Sequence, residues 1–414
     1  MTKLMLVHAA EIATPTGKEA VSGSAMNQLQ VIHDGAVVIE AGIIQAVGPT
    51  ETILKNYDSS QYSVIDATNQ SIVPGFVDSH THFVFGGYRP DEFLMRLSGK
   101  SYMEIMEAGG GIENTVQATR SSSFDELYQS GFERLDEMLA FGVTTVEGKS
   151  GYGLDHDNEI KQLGVMQKLN ASHPVDVVST FLGAHAVPRE FAGRNSDYID
   201  FLISDVLPEV ASQKLADYCD AFCEKGVISI DDSRRLLAKA KALGMRLKLH
   251  ADEIEQLGGA ELAAELGAAS ADHLLEASDT GIGRLAEADV VATLLPATAF
   301  CLNKPYAPAR KMIDQGCAVA LASDLNPGSC FTGSVPLIFS LACIYMKMSV
   351  AEALTAFTLN GAAALNRADR IGSIEVGKEA DLLLLKYPSY SYLVYKTAVN
   401  CVDRVIKKGK VIKN

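Results

Sequence analysis

The chain has 414 residues, of which 47% are hydrophobic and 21% charged, a balance that fits a globular protein and excludes a largely disordered one. Its 36 Lys and Arg against 51 Asp and Glu give a net charge of -15, which disfavours nucleic acid as a partner and favours a small molecule. We expect a cytoplasmic protein with reduced thiols and no membrane partner, because its seven cysteines are scattered and no apolar stretch reaches the roughly 18 residues of a membrane span.

Both ends of the chain predict β-structure. Residues 1–72, which begin with a poor match to a secretion signal, contain short β-branched runs separated by Gly, Asp and Asn. Residues 370–414 contain similar runs with turn glycines and no long helical period. Two β-rich ends around one middle indicate a small β-sandwich domain composed of residues 1–72 and 366–414.

The middle of the chain, residues 73–365, alternates β-rich segments with stretches of helical period, which indicates repeated βα units. The eight candidate strands are 72–82, 143–151, 175–185, 218–225, 246–253, 269–274, 290–296 and 318–325. Eight such strands predict a (β/α)8 TIM-like barrel. An open doubly wound sheet is the alternative, but no Gly-x-Gly-x-x-Gly follows the first strand. Ser349-x-x-Glu352 fits a capping box before a last helix over 350–365.

Polar residues at the ends of these strands predict a metal site, because barrel enzymes build their chemistry at the carboxyl ends of the strands. Five of the nine histidines lie at or near such ends. They are His80, His82, His185, His250 and His273. His80 and His82 alternate along one strand and therefore point the same way. Together with His250 after strand five and Asp324 after strand eight, they predict a site for one divalent metal.

The same residues stand in strings that resemble the metal-dependent amidohydrolase superfamily, and the match runs from end to end. The strings are VPGFVDSHTH at 73–82, the histidines at 250 and 273, SD at 323–324 and GSIEVGKEAD at 372–381. Further strings resemble the members that open an imidazolone ring bearing a propanoate side chain. They are FGGYRPDEF at 85–93, EGKSGYGL at 147–154, FLGAH at 181–185, HADE at 250–253 and DLNPGS at 324–329.

This resemblance implies hydrolysis of a cyclic amide, with one zinc or iron ion per subunit and with a homodimer as the assembly. The choice between zinc and iron stays open, since imidazole and carboxylate suit both. A proton carrier is also required, and Glu253, three residues beyond His250, is our candidate. A carboxylate that only stabilises the start of a helix is the alternative reading of Glu253.

His273 resembles the position that binds a second metal or orients the substrate carbonyl, and a plain core histidine is the other interpretation. Glu224 and Lys225, near the end of strand four, leave a second ion possible by residue type. The resemblance nevertheless implies a single metal and an electrophilic or proton-relaying His273. The proton route among Glu253, His273 and Asp324 stays open at this stage.

The substrate's carboxylate requires a cation, and Arg89 in the loop after the first strand is our candidate, because a guanidinium binds a carboxylate through two parallel hydrogen bonds. The resemblance implies that Tyr152 and His185 also line the substrate pocket. It further implies that Asn326, Gly328 and Ser329 hold the ring or the product. Packing is the alternative for Tyr152, and a simple turn is the alternative for residues 326–329.

Two other functions compete with this interpretation. A deaminase or chlorohydrolase acting on an aromatic ring would share the metal frame, but it would have no use for Arg89 as a carboxylate anchor. A catalytically inactive scaffold would be expected to lack metal ligands, and this sequence retains all four predicted ones.

Overall fold

The protein is described by a computed structural model that covers residues 3–100, 104 and 110–412. Five strands from the N-terminal part of the chain begin a mixed sheet, in which β1 pairs antiparallel with β2 and parallel with β4 and β5. They are β1 (Lys3–Thr14), β2 (Gln30–Glu40), β3 (Ile43–Pro49), β4 (Ser63–Asp66) and β5 (Ser71–Pro74).

Eight parallel strands follow, each hydrogen-bonded to the next along the chain. They are β6 (Phe76–Asp78), β7 (Val143–Lys149), β8 (Asp176–Ala184), β9 (Tyr218–Cys223), β10 (Arg246–Ala251), β11 (Ser270–His273), β12 (Val291–Leu294) and β13 (Val319–Leu321). Just beyond β6 and β13, the Asp324 N–H donates to the His80 carbonyl at 2.9 Å and the His82 N–H donates to the Leu325 carbonyl at 2.9 Å. These bonds join the first strand to the last, and the predicted barrel is confirmed.

The first predicted strand, 72–82, is divided between the two sheets at Gly75. β5 belongs to the mixed sheet and β6 to the barrel, while the Gly75 N–H donates to the Asp381 carbonyl at 2.8 Å. A Cβ at this position would lie 2.4 Å from Thr144 Oγ1, so only glycine fits where the chain crosses from one sheet to the other. The sequence pattern did not predict this division.

Three strands from the C-terminal part complete the mixed sheet. They are β14 (Leu382–Leu385), β15 (Val402–Lys407) and β16 (Lys410–Ile412). β14 pairs antiparallel with β5. The strand order of the mixed sheet is β16-β15-β14-β5-β1-β2-β3, and β4 pairs with β1. The two ends of the chain therefore share one sheet, as predicted. This pairing supports our proposal that residues 1–72 and 366–414 form one unit beside a barrel of residues 73–365.

Helices connect the barrel strands and cover the barrel's outer surface. The α-helices of the described residues are α1 (Thr50–Asn56), α2 (Pro90–Leu97), α3 (Ile112–Ser121), α4 (Phe124–Ala140), α5 (His156–Ser172), α6 (Asn195–Phe201), α7 (Leu207–Ser212), α8 (Ile230–Ala242), α9 (Gly259–Leu266), α10 (Asp279–Glu287), α11 (Pro296–Leu302), α12 (Ala309–Asp314), α13 (Val335–Ile344), α14 (Val350–Thr355), α15 (Gly361–Ala364) and α16 (Tyr392–Tyr395). Within this described part of the chain, no helix combines the length and apolarity needed to cross a membrane.

The predicted last helix begins with the expected capping box. The Ser349 hydroxyl accepts a hydrogen bond from the Glu352 N–H at 3.1 Å, and the Glu352 carboxylate accepts one from the Ser349 N–H at 2.7 Å. This reciprocal pair satisfies two backbone donors that the first helical turn cannot pair. The helix continues from α14 through a π-helical segment, Ala356–Asn360, into α15.

The two largest hydrophobic clusters lie in different parts of the molecule. The larger core fills the barrel and the space between its strands and helices, and includes Phe181, Leu249 and Leu321. A smaller core lies on one face of the mixed sheet, where Ile72 and Leu382 pack together. Because each sheet buries its own apolar face, the strand ends at the mouth of the barrel stay available for polar side chains.

Candidate active site

His80 and His82 lie directly after β6, where the backbone bonds that close the barrel fix their position. The Asp78 carboxylate accepts a hydrogen bond from the Ser323 N–H at 2.9 Å and adds a further link between the first and last strand ends. Both imidazoles are buried, with ring centroids 5.4 Å apart. The alternation predicted from His-x-His therefore brings both rings to the same side of the chain.

Three of the four predicted metal ligands, His80, His82 and Asp324, form one group whose ligand atoms lie close enough to share an ion. His250 forms such groups with His80 and His273 and with His82 and His185. Asp324 Oδ1 lies 3.6 Å from His80 Nε2 and 3.6 Å from His82 Nε2. His250 Nε2 lies 3.4 Å from His82 Nε2. Separations of this size are those of neighbouring ligand atoms around a cation held by bonds of about 2.0–2.2 Å. Residues up to 244 positions apart in sequence thus lie side by side at the strand ends.

The chemistry of this cluster fits a transition metal. His80 Nε2 is buried and has no hydrogen-bond partner among the described residues. Burial, followed by the charges of neighbouring groups, holds the pKa of His80, of His82 and of His250 well below its ordinary value. The imidazoles are therefore neutral, which is the form that binds a metal.

Asp324 supplies the carboxylate of the cluster from a constrained backbone. Its φ of +53° lies in the left-handed region, which costs a residue other than glycine about 1–3 kcal/mol. Its second oxygen accepts a hydrogen bond from Thr298 Oγ1 at 2.6 Å. Burial raises the pKa of Asp324 to about 7, and a positive ion beside it would keep the carboxylate ionised.

Two carboxylates that were not predicted from the sequence lie beside the outer nitrogens of His80 and His250. His80 Nδ1 donates to Asp272 Oδ2 at 2.6 Å. His250 Nδ1 lies 2.9 Å from Asp220 Oδ2 without hydrogen-bond geometry, while the His250 N–H donates to Asp220 Oδ1 at 3.1 Å. Such partners fix the ring orientation and strengthen a metal-binding imidazole. Both lie within β-strands, and a carboxylate inside an otherwise buried strand was the signal that could have revealed them.

Glu253 and His273 lie beside the cluster, with Glu253 Oε2 3.6 Å from His273 Nε2. Burial and the charges of Asp324 and Glu224 raise the pKa of Glu253 to about 8, and burial lowers the pKa of His273 to about 4. His273 also has a left-handed backbone, with φ at +77°. A carboxyl group that titrates near neutrality suits a residue that both accepts and donates a proton.

The strand-four residues considered for a second metal serve the loop that carries Glu253 instead. The Glu224 carboxylate accepts a hydrogen bond from the Ile254 N–H at 2.8 Å, and Lys225 Nζ lies 2.8 Å from the Glu255 carboxylate. Neither residue belongs to a group of described side chains that could share one ion with the histidines. Among the described residues, the carboxylates that join a histidine in such a group are Asp324, Glu147 and Asp272.

Arg89 lies against the loop that follows β13. A Cβ added to Gly328 would lie 1.8 Å from Arg89 Nη2, so the guanidinium occupies the space that any larger residue would fill. Arg89 Nη1 lies 3.3 Å from Glu92 Oε2, and its buried Nε has no hydrogen-bond partner among the described residues. The guanidinium thus retains a donor that a bound carboxylate could use.

The loop of residues 326–329 is held together by the Asn326 side chain. The amide oxygen accepts hydrogen bonds from the N–H groups of Gly328 and Ser329, each at 2.8 Å. The amide nitrogen donates to the Asp324 carbonyl at 2.7 Å and to Ser329 Oγ at 2.9 Å. Asn326 therefore contacts Asp324, Gly328 and Ser329 contact Asn326, and the Asn326 amide is engaged within the turn itself.

Tyr152 and His185 form a wall beside His82. The rings of His185 and His82 stack with centroids 4.8 Å apart and 14° between their planes. The Tyr152 ring lies 5.3 Å from the His185 ring, and His185 Nδ1 donates to the Gly151 carbonyl at 3.1 Å. Both predicted pocket residues therefore contact or adjoin the histidine cluster.

The chain is similar over nearly its whole length to proteins of known activity. A model of the "Amidohydrolase family" matches residues 228–412. The imidazolonepropionase of Parabacteroides distasonis is 62% identical over 410 residues, covering 99% of this chain and 99% of that protein. The imidazolonepropionase of Clostridium tetani is 58% identical over 409 residues, covering 99% of this chain and 98% of that protein.

Solved structures share the fold at much lower sequence identity. A zinc-bound adenosine deaminase from Xanthomonas campestris is 20% identical with a TM-score of 0.68, covering 99% of this chain and 92% of that chain. The guanine deaminase of E. coli is 16% identical with a TM-score of 0.70, covering 100% of this chain and 99% of that chain. At these identities the likeness concerns the fold alone.

Proposed function

The chain belongs to the imidazolonepropionase family of metal-dependent amidohydrolases, and we propose how its buried cluster performs the reaction of that family. It is a hydrolase of carbon–nitrogen bonds in cyclic amides, acting in histidine degradation on a small-molecule substrate. The reaction converts 4-imidazolone-5-propanoate to N-formimidoyl-L-glutamate by adding water to the ring carbonyl and releasing the ring nitrogen.

The proposed metal site consists of His80, His82, His250 and Asp324, and it holds one zinc or iron ion. The observation that carries this proposal is the approach of the Asp324 carboxylate to both His80 and His82 at 3.6 Å. A bound metal would act as a Lewis acid, lowering the pKa of a nearby water toward neutrality and polarising the ring carbonyl.

Glu253 is the proposed proton carrier. Its carboxylate accepts a proton from the attacking water and then protonates the departing ring nitrogen, because its pKa of about 8 keeps both forms accessible near neutrality. His273, whose Nε2 lies 3.6 Å from Glu253 Oε2, orients the carboxylate and the substrate carbonyl. Asp324 faces the same space and completes the proposed set of catalytic groups.

Arg89 is the proposed anchor for the propanoate of the substrate, since its Nε has no hydrogen-bond partner among the described residues and its Nη2 lies against Gly328. In this proposal Tyr152 and His185 form one side of the pocket, and the loop of Asn326, Gly328 and Ser329 forms another. A deaminase of a neutral aromatic base would have no use for such a guanidinium. An inactive scaffold disagrees with the retention of all four ligands.

Two substitutions test this proposal. Arg89→Ala should raise KM for 4-imidazolone-5-propanoate by about 100-fold and leave the metal content unchanged, since a lost charge-assisted pair costs roughly 2–5 kcal/mol. His250→Ala should remove metal and turnover together. Arg189→Ala, which alters an exposed arginine, is the control. A His250→Ala protein with full metal content would contradict the proposed ligand set.

The proposal also covers the oligomeric state and the cellular compartment of the protein. We propose a homodimer, the commonest symmetric assembly, which acts in the cytoplasm. The net charge of -15 disfavours any role for nucleic acid. Light scattering during size-exclusion chromatography measures the assembly directly, and a monomeric mass would contradict it.

A further inference from the structure

Five charged side chains form a cluster beside the proposed metal site, and the proposed reaction gives none of them a proton-transfer or substrate-binding role. All five are fully buried, and we call them the floor cluster. They are Glu147, Lys149, Asp220, Lys248 and Asp272. Three carboxylates share this space with two ammonium groups, so each ammonium is needed to keep buried charges paired.

Lys149 is at the centre of the floor cluster. Its Nζ lies 2.7 Å from Asp220 Oδ2, 3.1 Å from Glu147 Oε1 and 3.4 Å from Asp272 Oδ2. Burial alone would lower the pKa of Lys149, but the three carboxylates outweigh it and raise the pKa above its ordinary value. Lys149 is therefore a permanent positive charge that touches all three acids.

Two of those acids reach the metal site. Asp272 Oδ2, the same oxygen that faces Lys149, accepts a hydrogen bond from His80 Nδ1 at 2.6 Å. Asp220 Oδ2 lies 2.7 Å from Lys149 Nζ and 2.9 Å from His250 Nδ1. One ammonium group thus connects two separate carboxylate–imidazole pairs. In the first pair, Asp272 lies on β11 and His80 lies two residues beyond β6; in the second, Asp220 lies on β9 and His250 on β10.

Lys248 is equally buried but is connected differently. Its Nζ donates to Glu147 Oε2 at 2.6 Å and to the Ser79 carbonyl at 2.7 Å, and it lies 3.8 Å from Asp272 Oδ2. No ion pair joins it to Asp220 among the described residues. Lys248 is therefore a matched control. It is a fully buried lysine like Lys149, but it does not connect Asp220 with Asp272.

We propose that Lys149 is a positioning residue that ties the Asp272–His80 and Asp220–His250 pairs together and so sets the affinity of the site for its metal. This inference rests on the proposed function, which takes His80 and His250 as ligands. Without the ammonium group, Asp220 and Asp272 repel each other and move apart. His80 then loses the acceptor of its Nδ1 proton, and His250 loses the carboxylate that binds its N–H and lies beside its Nδ1. Loss of such an outer partner costs about 10–100-fold in metal affinity.

The test compares Lys149→Met with Lys248→Met in the full-length protein. Each protein is stripped with a chelator and titrated with zinc in competition with a chromophoric chelator, and circular dichroism verifies that the apo forms are folded. We expect Lys149→Met to weaken zinc binding by 10- to 100-fold and Lys248→Met to weaken it by less than about threefold. At saturating zinc, KM should stay within about twofold in both, because Arg89 is untouched.

A double variant keeps the test decisive if Lys149→Met does not fold. Lys149→Met combined with Asp220→Asn removes one charge of each sign and keeps an amide oxygen facing His250. Lys149→Met should weaken zinc binding less in the Asp220→Asn protein than in the unaltered protein, because one of the two carboxylates that Lys149 connects is already neutral. The proposal would be overturned if Lys149→Met weakened zinc binding equally in both proteins, or if Lys149→Met and Lys248→Met weakened it equally.

The outcomes also separate this inference from the proposed function. If His250→Ala keeps its zinc, the ligand set itself is wrong. If His250→Ala loses zinc while a folded Lys149→Met binds it with unchanged affinity, the ligand set stands and the role of Lys149 is wrong.

Discussion

Glu253 Oε2 lies 3.6 Å from His273 Nε2 at the edge of the histidine cluster. The two residues come from the ends of neighbouring barrel strands, β10 and β11, and burial shifts their pKa values in opposite directions, to about 8 and about 4. A neutral imidazole therefore faces a carboxyl group that exchanges its proton near neutrality. This relationship is the basis of the first prediction.

We predict that kcat/KM rises as pH increases through about 8, because Glu253 accepts the water proton only when it is ionised, and that form predominates above its pKa. Glu253→Gln should lower kcat by about 10²–10⁴-fold and leave the metal content unchanged. Glu255→Gln, in the same loop but half-exposed, is the control. A Glu253→Gln enzyme with normal turnover would show that another group carries the proton.

Gly328→Ala should displace the Arg89 guanidinium, because the added Cβ would lie 1.8 Å from Nη2. We expect KM to rise by at least 10-fold while metal binding stays normal, measured by steady-state kinetics and metal analysis. Gly333→Ala is the matched control, since its nearest neighbour, Met138 Cγ, lies at an ordinary contact distance of 3.5 Å. Equal KM values for the two variants would argue against a substrate-binding Arg89.

Removing the metal should lower the melting temperature. A ligand that binds only the folded protein stabilises it by about 4 kcal/mol at 1,000 times its Kd. We expect the apo protein to melt earlier than the loaded one and zinc to restore the transition, as measured by differential scanning calorimetry. His250→Ala should show no such response to zinc, and a shift as large as that of the unaltered protein would contradict the ligand assignment.

Gly75→Ala should destabilise the protein by about 1–3 kcal/mol, the usual cost of overpacking, because its Cβ would press against Thr144. Gly283→Ala is the contrasting control: this glycine lies in α10 with open space around its Cβ position, so alanine should stabilise the protein by about 0.5–1 kcal/mol. Urea denaturation measures both changes. Equal stability of the two variants would contradict the steric role of Gly75.

Much of this architecture follows from local patterns in the sequence. Alternating β-rich and helical segments were sufficient to predict eight barrel strands, because the side-chain period of a strand or helix depends only on nearby residues. His80, His82, His250 and Asp324 were identifiable because each lies near the end of a buried strand or just beyond it, where a polar residue is unusual. Family motifs extended this to Arg89, which no periodicity would single out.

The tertiary structure decided what local patterns do not contain. At Gly75 one continuous apolar run is divided between two sheets. The Gly75 N–H is bonded to the Asp381 carbonyl, and Thr144 leaves no room for a side chain there; neither contact can be read from the run itself. Lys149 and Asp272 meet only because closing the barrel brings β7 and β11 around one interior, with the buried charges paired across it. A sequence specifies which side chains a strand presents, but burial and closure decide which of them meet.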